Sequence, residues 1–109
     1  LAVHQALLAE LARWKPEVLA LESAFFGRSV SAAIRLGEGR GAALVAAAAA
    51  GVPVHSWAPA QVKKAVSGHG AATKQTLQAI TRSALGLERT LPVDASDAAA
   101  VALCHLMRA

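Results

Sequence analysis

Apolar residues recur every three to four positions over residues 1–14, where Val3, Leu7, Leu11 and Trp14 form one stripe and Glu10 and Arg13 fall off it. That period predicts an amphipathic helix, and Pro16 stops it. The period then shortens. Over 18–22, Val18, Ala20 and Glu22 alternate with Leu19 and Leu21, the two-residue repeat of a short strand. Residues 29–50 return to helical patterning, with Ser29 as cap, and 52–57 read as the second strand. Strand, long helix and strand make a right-handed crossover, so the two strands are expected to be parallel. Pro59 opens a helix over 59–66. A helix over 73–85 follows, with Leu77, Ile80 and Leu85 on its apolar side, Lys74, Gln78 and Arg82 on its polar side, and Gly86 as its C-terminal stop. After a connector over 87–93 comes a last helix, where Val101, Leu103, Leu106 and Met107 offer packing. The fold class is α/β.

Two details of this pattern ask for a reason. Ala33, Gly37 and Gly41 lie at spacing four along the long helix. A helical glycine costs about 1 kcal/mol against alanine, so two on one face point to a close backbone neighbour. That neighbour is either the sheet of the same domain or the same helix of a second copy. Glu22 closes an otherwise apolar strand. It is either an exposed strand end or an acid placed there for chemistry, and position alone leaves both open.

The chain has 109 residues, enough for a single domain over 1–109, and 55% of them are hydrophobic, many of them alanine. Alanine favours helix but buries little area per residue. The formal charge is +4 with a pI near 10.0, a balance that suits nucleic acid or another anionic surface. One cysteine, Cys104, excludes an internal disulfide and fits a reducing compartment, here read as the cytoplasm. Its apolar neighbours make it a buried thiol rather than a nucleophile. The apolar run 42–52 is too short to span a membrane. The sequence starts at Leu1, without methionine and inside a predicted helix, and a preceding N-terminal portion is expected.

Few residues carry chemistry. Asp94 and Asp97 stand three apart where a loop becomes the last helix. That spacing puts both on one face of the first turn, where free N–H groups and the positive dipole end favour carboxylates. With Glu22 they make three of only seven acids. Brought together, they would suit a hard divalent cation; the plainer alternative is that Asp94 caps the helix and Asp97 decorates it. Phe25 and Phe26, the only phenylalanines, follow Glu22 directly, with Arg28 close behind. They either stack on nucleic-acid bases or pack under the next helix. Lys63, Lys64 and Lys74 bracket the glycine-rich loop 67–72, which includes His69. Such a loop can approach a phosphate backbone, although its spacing is not that of a P-loop. His105, two turns beyond Asp97, reads as a packing or surface residue. Zinc-finger spacing, a serine–histidine–acid set and a dinucleotide fingerprint are all missing.

ALESAFF (20–26), GEGRGAALVAAAAAGVPV (37–54), PAQVKKAVSGHGAATK (59–74) and DASDAAAVAL (94–103) occur in an order and spacing that resemble the RuvC family of bacterial Holliday-junction resolvases, the crossover junction endodeoxyribonucleases. The resemblance covers nearly the whole chain. It implies an RNase H-like α/β fold, a homodimer, and magnesium-dependent nicking (Mn2+ as a substitute) of two like-polarity strands in four-way junction DNA during recombination and repair. It makes Glu22, Asp94 and Asp97 metal ligands. Lys63 and Lys74 become catalytic basic residues beside the scissile phosphates. Phe25 matches the aromatic near the junction's unstacked bases, with Phe26, Arg28, Lys64 and His69 as further DNA contacts. Ala33, Gly37 and Gly41 fall in the dimer region. Branch-migration proteins (RuvA, RuvB) are implied as partners.

The family places its first catalytic aspartate on an N-terminal strand, the first of three antiparallel strands, and this chain contains neither. The domain is therefore read as N-terminally truncated, as an excerpt of a longer protein or a true truncation. The alternative function is a non-catalytic junction-binding or dimerisation module; a different RNase H-like nuclease fits the Phe25 and basic-loop context less well.

Overall fold

The computed structural model describes residues 2–23, 30–68 and 72–108, and of residues 30–33 and 36 only the backbone. The elements run α1 (Ala2–Trp14), β1 (Leu19–Glu22), α2 (Val30–Ala50), β2 (Val54–Trp57), α3 (Pro59–Ser67), α4 (Lys74–Ala84) and α5 (Val93–Arg108). β1 and β2 form a two-stranded sheet. Leu19 N–H donates to Pro53 O at 2.9 Å and Ser23 N–H to Trp57 O at 2.8 Å. Both strands thus advance in the same direction along the ladder, which is the expected parallel pairing. The chain divides into two compact units, one of residues 1–19 and 24–55, the other of 20–23 and 56–109.

In the first unit α1 packs on α2. The buried positions are Leu11, Ala43, Ala46 and Ala47; the three alanines recur at helical spacing and give α2 a thin apolar face. Lys15 takes a left-handed φ of 47° as its N–H closes on Leu11 O at 2.9 Å, and Pro16 cannot continue the helix. α2 ends on Gly51 at φ 70°, with Gly51 N–H to Ala48 O at 3.2 Å and Val52 N–H to Ala47 O at 2.9 Å, a Schellman stop. The predicted α1 stripe is only partly used: Val3 is 56% and Trp14 67% exposed. The alanine face of α2 is narrow, and Trp14 finds partners on its own helix instead. Its Nε1 donates to Glu10 Oε2 at 2.8 Å, and the Arg13 guanidinium lies 4.9 Å from its ring centre.

The second unit has a denser core of Trp57, Val62, Val66, Ala100, Val101 and Cys104, with Ala20, Ala65, Leu77, Ile80 and Leu103 against it. α3 starts on Pro59, and Ala58 N–H donates to Gln61 Oε1 at 2.7 Å. Thr73 is the N-cap of α4 rather than its first residue, its Oγ1 accepting from Thr76 N–H at 3.1 Å. Gly86, φ 67°, ends that helix as expected, with Gly86 N–H to Ser83 O and Leu87 N–H to Arg82 O, both 3.1 Å. Buried Thr81 satisfies its hydroxyl on Leu77 O at 2.8 Å. Cys104 is fully buried, with Sγ 3.8 Å from Gln61 O, and burial pushes its thiol up.

Three expected packing residues are exposed instead: Leu85 at 43%, Leu106 at 76% and Met107 at 54%. Leu85 is already past the last turn of α4. Leu106 lies about 200° round α5 from Cys104, and Met107 extends beyond Cys104, the last buried position of the helix. Among the described residues, no helix is long and apolar enough to cross a membrane.

Candidate active site

The described acids and lysines singled out by sequence all belong to the second unit. Glu22 ends β1 and is exposed, so the strand end is open rather than buried. α5 begins at Val93, one residue before Asp94. Asp94 therefore sits inside the first turn instead of capping it, and the backbone bond of Ser96 N–H to Pro92 O at 2.8 Å starts the helix. Asp97 follows one turn on. Only Asp94 therefore lies in the first turn, where the unpaired N–H groups of the helix start stabilise negative charge; Asp97, expected there too, sits beyond it because the helix starts at Val93.

Lys74, the first residue of α4, reaches Asp97, with Nζ 3.1 Å from Oδ2. The pair is partly exposed and worth at most about 1 kcal/mol in stability; its interest is electrostatic. The Glu22 carboxyl is pushed above the ordinary glutamate range, first by loss of water around it and then by the negative charge of Asp97, while Lys74 pulls it down. Glu22, Asp97 and Lys74 therefore share one field, although they come from β1, α5 and α4.

Among the described residues, no group of three or more His, Cys, Asp or Glu is arranged to hold a metal ion. A glutamate carboxyl that feels the negative charge of a neighbouring aspartate is nevertheless a suitable arm for a hard cation. Magnesium in particular takes one or two protein carboxylates and completes its shell with water and substrate phosphate. Glu22 and Asp97 fit that pattern; Asp94 stands exposed one turn before Asp97.

Lys63 on α3 is half-buried and Lys64 exposed. Ser67 Oγ donates to the Lys63 carbonyl, and Gly68 closes α3 at φ 88° with its N–H on Lys64 O at 2.9 Å. Phe25, Phe26, Arg28 and His69 lie outside the described residues, as do the predicted cap Ser29 and the side chain of Ala33. At Gly37 and Gly41 an added Cβ would meet no atom within 4 Å. Among the described residues, no backbone of this chain closes on the glycine stripe.

One polar contact was not expected. Trp57 Nε1 donates to His105 Nδ1 at 3.1 Å, and the rings meet edge to face with centroids 5.9 Å apart. The sequence reads His105 as a packing or surface residue, and its ring does pack on Trp57; the hydrogen bond is what the pattern does not show. The available hint was that Trp57 ends a strand and must place its indole N–H somewhere once buried.

The fold defines an α/β protein with a parallel βαβ unit and with acids at the end of β1 and near the start of α5. The profile of the family described as crossover junction endodeoxyribonuclease RuvC matches residues 1–105. The crossover junction endodeoxyribonuclease RuvC of Chloroflexus aurantiacus is 44% identical over 106 residues, which cover 96% of this chain and 65% of that protein. The protein of the same name from Syntrophomonas wolfei is 44% identical over 105 residues, covering 95% and 61%. Thermus thermophilus RuvC, solved in complex with a Holliday junction substrate, superposes with a TM-score of 0.91 at 42% identity, covering 97% of this chain and 65% of that one. The chain belongs to the RuvC family, and its fold is RNase H-like. It spans just under two thirds of the length of these relatives.

Proposed function

We propose that this chain carries most of a nuclease domain that resolves four-way DNA junctions by paired, divalent-metal-dependent nicks in recombination and repair. The observation that carries this reading is the shared field of Glu22, Asp97 and Lys74 in the second unit, joined to relatives whose names describe that activity. Both compact units are assigned to the one domain.

In this reading Glu22 and Asp97 hold a divalent cation, Mg2+ or in its place Mn2+, with Asp94 supplying a further oxygen. When bound, the cation supplies Lewis-acid activation of water and neutralises charge on the departing 3′-oxygen. Lys74 holds Asp97 in place before the substrate arrives and then stabilises charge on the scissile phosphate. Lys63 and Lys64 flank the same loop and take neighbouring phosphates, which makes binding salt-dependent. Phe25, Phe26, Arg28 and His69 are assigned to the DNA, and the open stripe of Gly37 and Gly41 with Ala33 to a second copy of the chain. RuvA and RuvB are the proposed branch-migration partners, and the cytoplasm the proposed site of action.

The test is nicking of a synthetic four-way junction in Mg2+, beside a linear duplex of the same sequence, by the complete protein that contains this chain and by its Asp97→Asn variant. Symmetric junction-only nicks that vanish in Asp97→Asn, with junction binding retained, are the expected result. Junction binding without nicks by the wild type would support the non-catalytic module instead. Loss of binding in Asp97→Asn would give Asp97 a structural role.

A further inference from the structure

Glu22 and Asp97 come from different elements, yet the charge of Asp97 acts on Glu22, so something must set how α5 stands against the strand ends. Apolar packing does part of this. Ala100, Val101 and Cys104 are 2%, 3% and 0% exposed in the core around Trp57. Such contacts set which face of the helix turns inward, but they are non-directional and hold its rotation less tightly than a hydrogen bond does. At a side-chain radius of about 5–6 Å, a 20° turn of a helix carries a carboxylate about 2 Å. That displacement is enough to break the 3.1 Å contact of Lys74 with Asp97.

A directional contact lies at the other end of the helix. Cys104 is the last buried residue of α5, and its neighbour His105 accepts the indole N–H of Trp57 at 3.1 Å. An indole nitrogen can only donate, so Nδ1 of His105 must be the unprotonated nitrogen of the ring. Trp57 is also tied to the acid-bearing strand, because its carbonyl takes the N–H of Ser23, the residue after Glu22, at 2.8 Å. One continuous path therefore runs from Glu22 and Ser23 through the backbone and indole of Trp57 to His105, and then along two turns of α5 to Asp97.

We propose that His105 is a positioning residue which, by accepting the Trp57 hydrogen bond, fixes the rotation of α5 and so the approach of Asp97 to Glu22. It touches neither substrate nor metal. The proposal rests on the reading of Glu22 and Asp97 as paired metal-binding carboxylates, and its test separates the two.

Three variants of the chain are compared with wild type. His105→Leu removes the acceptor, Trp57→Phe removes the donor while keeping a buried ring, and His105→Asn returns an acceptor oxygen near the place of Nδ1. Backbone amide NMR with hydrogen exchange is the first readout and calorimetric Mn2+ affinity the second. His105→Leu and Trp57→Phe are expected to move the Glu22, Ser23 and Asp97 resonances and to lower Ser23 protection about tenfold. The amides of Gly68 and Leu87, bonded to Lys64 O and Arg82 O, should keep theirs. His105→Asn should restore the wild-type pattern. Mn2+ affinity should fall about tenfold in His105→Leu, the scale of a lost supporting contact behind a metal ligand, and return in His105→Asn. Unmoved Glu22, Ser23 and Asp97 signals in His105→Leu and Trp57→Phe would overturn the proposal, as would His105→Asn behaving like His105→Leu. A wild-type chain that binds no Mn2+ would overturn the metal reading, while the amide readout would still decide the positioning role.

Discussion

The unit built on α1 and α2 and the unit built on α3, α4 and α5 bury different things. The first seals itself with Leu11 and three alanines and leaves Ile34 and Val45 more than half exposed. A cleft of about 560 Å³, lined by Leu8, Leu11, Ala12, Lys15, Pro16, Ala50, Gly51 and Val52, remains within it. The second buries Trp57, two valines of α3, Val101 and Cys104, and it satisfies polar groups inside or beside that core: Thr81 on Leu77 O and Trp57 on His105. Alanine faces let helices come close but carry little apolar area. Large side chains with directed hydrogen bonds give a core with one arrangement. The carboxylates and Lys74 belong to the unit with directed contacts.

The contrast can be broken by mutation. Trp57→Ala should cost about 3–5 kcal/mol, read as a lower urea midpoint by far-UV circular dichroism. Leu11→Ala should cost only about 2 kcal/mol, at the low end for a buried leucine, because that site already borders an open cleft. A larger loss for Leu11 than for Trp57 would reverse the comparison. Thr73→Ala should cost about 1 kcal/mol by removing the cap that Thr76 N–H uses.

The smallest effect concerns Glu22. Its folded carboxyl binds a proton more tightly than the unfolded one. Stability is therefore lost as pH rises from the ordinary glutamate value through the raised folded value, and the penalty is complete above it. Glu22→Gln should raise Tm at neutral pH, and the gain should disappear in acid where both forms are protonated. A pH-independent gain would mean that Asp97 and desolvation do not act on this group.

Much of this was legible in the sequence. Pro16, Pro59 and Gly86 mark helix boundaries that the structure keeps, because each acts through local backbone geometry. The two-residue period around Leu19–Glu22 and the long helix after it were enough for a parallel crossover. Burial at helix ends was not legible. Trp14, Leu85, Leu106 and Met107 fit an apolar period, but a period says nothing of whether a partner extends that far. The pairing of Asp97 with Lys74 joins residues 23 apart, and that of Trp57 with His105 joins residues 48 apart. The family resemblance implied the first as members of one site; the second depended on tertiary packing that leaves no periodic trace.

Cys104 carries a practical consequence. It is the chain's only thiol, it has no exposed surface, and burial keeps it protonated. An alkylating reagent can reach it only after α5 lifts from its seat, so the labelling rate is an internal clock for that excursion. In the regime where reseating outpaces labelling, the rate reports the population of the lifted state. The protein thus carries its own probe at the helix that bears Asp94 and Asp97, with no added dye.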